Sequence, residues 1–186
     1  TQNNANGYIS FAADQRELDN IPSYPSNPYN VNSDSVTKIS DVKNFLYLLD
    51  PTQYVTETNF KNAIAQTNFD LVLIDLFFNT SIVAVDDSLS KKQNGASRLV
   101  IAYMSIGEAE DYRYYWDPDW DKKAPAWLAG ENPDWRGNFK VKYWDKDWQN
   151  IIYGNDSSYI KKIIDAGYNG VYLDIIDAYE YFEKKK

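Results

Sequence analysis

Acidic residues stand at or near the ends of four short apolar runs in this chain of 186 residues. Asp50 follows the run 45–49 and Asp75 sits inside 69–78. Glu108 and Glu110 follow 99–106, and Asp174 and Asp177 follow 171–173. The chain has neither His nor Cys, which excludes imidazole bases, thiol nucleophiles, Ser-His-Asp triads and the usual zinc ligands. Carboxylates, hydroxyls, Tyr, Lys and Arg remain to do chemistry. With them come 16 Tyr, 6 Trp and 8 Phe. Acids together with aromatic rings suit sugar chemistry, the acids for proton transfer or attack and the rings for the apolar faces of the sugar.

Each acid also has a plainer reading. Asp50 and Asp177 suit the capping of a following helix, whose N-terminus is electropositive. Asp75, within an apolar run, needs a partner if it is charged and buried; function and a structural pair with Arg113 are equally open. Glu108 and Asp174 follow buried strands near glycine turns, so chemistry is the stronger assignment for both. Asp117 to Asp121 mimic the start of a calcium loop. Lys122 stands where that loop needs Gly and Leu128 where it needs Glu, so a solvated acidic turn is expected, with no metal and no cofactor.

The acids need elements to position them. Near-continuous apolar runs such as FDLVLIDLFF and LVIAYMSI fit strands buried on both faces, as in a parallel sheet. A short helix over 59–66, a weak helical piece over 89–93 and a helix over 159–166 stopped by Gly167 supply the connections. Strands 45–49, 70–76, 99–105 and 170–174 are expected to lie parallel and in sequence order. Their shared carboxyl edge is where α/β folds place their chemistry. Asp75, Glu108 and Asp174 are expected to converge there. Residues 1–40, rich in Asn, Ser and Pro, read as a loop-rich N-terminal arm, and 41–186 as the α/β body. A long excursion at 111–156 holds all six Trp residues, which suits a functional flap.

A net charge of −8 disfavours nucleic acid and anionic lipid as partners. No apolar run approaches the roughly 20 residues of a membrane span. The first residue is Thr1 rather than Met, as a processed or trimmed N-terminus would give.

Three ordered blocks, LVIAYMSIGEAEDYR (99–113), NPDWRGNFKVKYWDKDWQNII (132–152) and GYNGVYLDIIDAY (167–179), resemble glycoside-hydrolase family 114. Its members are (β/α)8 TIM barrels associated with α-1,4-linked galactosamine polymers. The resemblance runs from about Ile39 onward. It implies Asp174 as the catalytic strand-end aspartate, Glu108 and Asp75 as rim acids, and Tyr103, Ser105, Arg113, Trp144 and Tyr172 as residues lining the cleft. Asp174 and Glu108 are the catalytic candidates and the other six the substrate-binding ones. A full barrel takes about 250 residues, whereas about four βα units are countable here, and the family's second catalytic acid, a glutamate on a later strand, has no counterpart. Either the chain is a piece of a longer protein, or two copies associate through exposed sheet edges. The resemblance implies a secreted or cell-surface glycoside hydrolase acting on a carbohydrate polymer. The alternatives are a non-catalytic carbohydrate-binding protein and an inert barrel fragment.

Overall fold

A computed structural model describes residues 2–183; Lys184–Lys186 lie outside the described residues. The chain forms two compact units. The first runs from the N-terminus to Tyr103 and includes 166–172; the second comprises 104–165 and the segment from Leu173 onward.

The first unit holds α1 (Gln2–Ala5), β1 (Phe45–Leu48), α2 (Glu57–Ala65), β2 (Leu71–Asp75), β3 (Phe77–Phe78), β4 (Ser81–Ile82), α3 (Asp87–Ser90) and the greater part of β5 (Leu99–Ser105) and β9 (Gly170–Asp174). The strand order is β1-β2-β5-β9, as the sequence rhythm predicts. β1 and β2 are parallel, and so are β2 and β5, with Phe45 opposite Leu71 and Leu71 opposite Leu99.

Because side chains alternate along a strand, this register sorts the sheet into two faces. Leu46, Leu48, Val72, Ile74, Val100 and Ala102 share one face and are completely buried. The other face carries Phe45, Tyr47, Leu73, Ile101 and Tyr103, clustered with Val36 and Val42 from the N-terminal segment. Both faces are apolar, which is why β2 reads as an unbroken hydrophobic run. That run is not one strand, however. The Asp75 carboxylate accepts the Phe77 N–H at 2.8 Å, and the chain turns there into the small antiparallel β3–β4 hairpin.

Asp50 does what its capping reading requires: its carboxylate accepts the Thr52 N–H at 2.9 Å, at the head of a 3-10 turn. Thr56 caps α2 through the Asn59 N–H. At the other end of α2, the buried Arg98 guanidinium donates to the carbonyls of Ile64 and Thr67 and to that of Lys91. A cation is favoured there by the helix dipole, although burial pulls Arg98 down to about 10.

The N-terminal arm has little regular structure, yet it is tied down. Leu49 and Asp50 N–H groups reach Leu18 O, and Val36 N–H reaches Ser97 O. Deeper in this unit, Lys92 and Asp70 form a wholly buried ion pair at 2.5 Å. Asp70 also accepts from the Asn32 side chain and the Lys43 N–H, and the Lys92 ammonium also donates to Asp34 O.

The long excursion is more ordered than a flap. It contains β7 (Leu128–Glu131), β8 (Asn138–Val141) and α4 (Lys146–Ile152), and is flanked by β6 (Glu108–Glu110) and α5 (Tyr159–Asp165). The strands form an antiparallel sheet in the order β6-β8-β7. A short helix α6 (Tyr179–Glu183) completes the second unit. Its core is aromatic: Trp127 lies 5.0 Å from both Trp120 and Trp148, ring centre to ring centre, and Tyr115 lies 5.8 Å from Trp148. Short strands with few aliphatic residues fill this core with large rings instead. Asp117 to Asp121 make an exposed 3-10 turn closed by the Asp117 carboxylate on the Asp119 N–H.

Burial raises the Tyr115 hydroxyl far above its ordinary value, with Glu110 adding to the effect, and pushes Tyr114 up to about 12. The folded state therefore holds these protons after the unfolded chain has released them near pH 10. The stability they contribute is intact below that pH and is lost as pH rises toward about 12. The urea midpoint is expected to fall steadily between about pH 10 and pH 12; an unchanged midpoint would contradict the raised pKa of these phenols.

Candidate active site

Asp174 ends β9 and is half-buried. Its carbonyl accepts the Ile106 N–H at 3.1 Å, so the segment leaving β5 is held beside the carboxyl end of β9. The Trp148 indole N–H bonds the Ile106 carbonyl at 3.0 Å and fixes the same segment from the aromatic core. Directly after Asp174, Ile175 has φ of +57°, a left-handed conformation rare for a β-branched residue. Such a residue costs about 1–3 kcal/mol and persists only where its surroundings impose it. Here Gly107 does so. A Cβ at Gly107 would lie 2.2 Å from the Ile175 carbonyl oxygen and 2.6 Å from the Ala178 Cβ. Only glycine lets the two loops approach this closely.

One residue beyond Gly107, Glu108 is buried. Its carboxylate pairs with the Lys140 ammonium and accepts from the Asn132 amide at 2.8 Å. Lys140 lies directly opposite Glu108 in the β6–β8 ladder. The Ser105 hydroxyl is also buried and donates to the Glu108 carbonyl at 3.2 Å. Glu110 holds Arg113 through Nε at 2.5 Å, and the Arg113 guanidinium lies over the Tyr112 ring. Arg113 is therefore buried against an acid in its own unit. Trp144 is exposed and meets the Phe182 ring at 4.8 Å and Tyr143 at 5.0 Å.

The remaining residues singled out in the sequence lie in the first unit. Asp75 is opposite Tyr103 in the β2–β5 register. Its backbone carbonyl accepts the Tyr168 hydroxyl at 3.4 Å. Tyr172 is exposed, stacks on Tyr103 with centres 6.4 Å apart, and contacts Tyr47 at 5.6 Å. The residues thus form two groups. One is Asp75 with the Tyr47–Tyr103–Tyr172 trio; the other is Asp174 with the Ser105–Glu108–Lys140–Asn132 network, and Trp144 stands on the aromatic edge of that second unit. Sequence reasoning did not reach Lys140, Asn132 or Tyr47. The alternation of β1 could have placed Tyr47, but only the hairpin register reveals Lys140.

A profile for glycoside-hydrolase family GH114 matches residues 18–186. The chain belongs to that family. Among curated proteins, one from Methanocaldococcus jannaschii, described only as uncharacterised, is 41% identical over 177 residues, covering 94% of this chain and 49% of its own length. A second uncharacterised protein, from Deinococcus radiodurans, is 42% identical over 119 residues, covering 64% of this chain and 37% of its own. Among solved structures, Aspergillus fumigatus Ega3 in complex with galactosamine is similar at 29% identity. Its TM-score is 0.44, over 61% of this chain and 39% of that one. The GH114 chain described here thus spans about half or less of the length of these relatives. Its α/β architecture with a parallel sheet fits that family, and among the described residues no helix is long and apolar enough to cross a membrane.

Proposed function

We propose that this chain is a glycoside-hydrolase domain that engages an amino-sugar polymer of the galactosamine type, with the Asp174 carboxylate as the group that attacks at the anomeric carbon. The observation that carries the reading is Asp174 itself, half-buried at the carboxyl end of β9 in a GH114 chain. The four-stranded sheet is then part of a (β/α)8 barrel whose strand ends form the substrate cleft. Asp75 and the rings of Tyr103 and Tyr172 in the first unit, and Trp144 in the second, are each assigned as substrate contacts, and the protein acts outside the cell or at its surface, where such polymers occur.

Glu108 is assigned an orienting role rather than that of the proton donor. Its carboxylate is already committed to Lys140 and Asn132, whereas hydrolysis needs an acid that can give its proton to the leaving oxygen. The same observation favours a second reading, a carbohydrate-binding domain that retains the cleft with little turnover. Arg113 and Ser105 act indirectly, by holding Glu110 and the loop that carries Glu108.

The chain's charge of −8 attracts a polymer bearing ammonium groups, and salt screens that attraction. Between about 0.1 and 1 M salt the screening length shrinks from roughly 10 to 3 Å. Calorimetric titration with a galactosamine oligomer is expected to show affinity falling across that range. Affinity independent of salt, or no binding at all, would remove the amino-sugar assignment.

A further inference from the structure

Next to Asp174 the second unit contains a cavity of about 400 Å³, walled by Ile106, Ile175, Ile176, Ala178, Tyr143 and Tyr179, with Glu183 as its one acid. Ile175, in its left-handed conformation, and Gly107, pressed against it, both line the cavity. Ile176 is 69% exposed, an unusual position for an aliphatic side chain beside an acid-bearing strand end. Neither the Tyr143 nor the Tyr179 hydroxyl has a hydrogen-bond partner among the described residues, so both remain available to a ligand.

Resting on the amino-sugar reading above, we propose that this cavity is a subsite for an N-acylated hexosamine unit of the polymer, distinct in preference from the acid-lined part of the cleft. The chemistry of the walls decides between the two forms of the sugar nitrogen. An ammonium placed against four aliphatic residues loses its hydration and finds a single carboxylate in return. An acetamido group is neutral, its methyl is removed from water by the isoleucine and alanine walls, and its N–H and C=O match the two phenols. Polymers that are acylated in part would therefore be read in register, with a charged unit at the acids and an acylated unit in this cavity.

The test is calorimetric titration of the whole chain, at high salt to suppress long-range attraction, with two α-1,4-linked hexosamine trisaccharides. One is fully deacetylated and the other carries N-acetyl groups. Wild type is expected to favour the acetylated trisaccharide by about four-fold or more, the value of burying one methyl group. Ile176→Ser, at an exposed position that folding does not depend on, is expected to erase that preference while leaving the deacetylated ligand's affinity unchanged. Tyr179→Ala is a second variant at an exposed wall position and is expected to act the same way. Equal affinity for both ligands in wild type, a preference for the deacetylated one, or a preference that survives both substitutions would overturn the subsite. Failure to bind either trisaccharide would overturn the amino-sugar reading, and the subsite with it.

Discussion

Replacing Lys92 with Met is expected to lower the unfolding free energy by about 3–5 kcal/mol, the cost of removing one partner from a buried ion pair. Lys92 and Asp70 have no exposed side-chain surface. Loss of the ammonium leaves a carboxylate with only the Asn32 amide and the Lys43 N–H as donors. Typical domains are stable by about 5–15 kcal/mol, so this single change would remove a large share of the total. Adding Asp70→Asn to the variant removes the stranded charge and keeps an oxygen for the Lys43 N–H, so the double variant is expected to recover much of the loss. Urea unfolding of the two variants measures this. A change below about 1 kcal/mol for Lys92→Met would show that the pair is not the lock between the N-terminal arm and the sheet.

That lock was hidden in the sequence, and the reason is physical. Asp70 and Lys92 lie next to different strands, and the polar turn KQNGAS that begins at Lys92 gives no sign that its ammonium is buried or that it meets Asp70. The parallel sheet was legible because both of its faces are apolar, so Leu71 to Ile74 and Leu99 to Met104 read as continuous runs. Gly167 was legible as a glycine that ends a helix, at φ +85°; the strand before Asp174 is not buried as its apolar run suggested, for Tyr172 and Leu173 are 42% and 43% exposed. The antiparallel sheet of the second unit was not legible. Its strands are three or four residues long and carry Glu, Lys, Asn and Gly, so no alternation stands out from the surrounding loops. As a result the partners of Glu108 could not be foreseen, since Lys140 meets it only through the hairpin register. The apolar run through Phe78 misled in the opposite direction, because composition alone does not show that Asp75 turns the chain after β2.

The role of Asp174 can be measured without depending on any proton donor. An aryl α-galactosaminide with a dinitrophenolate leaving group departs unprotonated, so its hydrolysis reports the attacking carboxylate alone. The chain is expected to release dinitrophenolate from this substrate, and Asp174→Asn, with an unchanged circular dichroism spectrum, is expected to slow release by about 10²–10⁴-fold, the contribution typical of a positioned catalytic group. A variant as fast as wild type, or a wild type that releases nothing, would contradict that role.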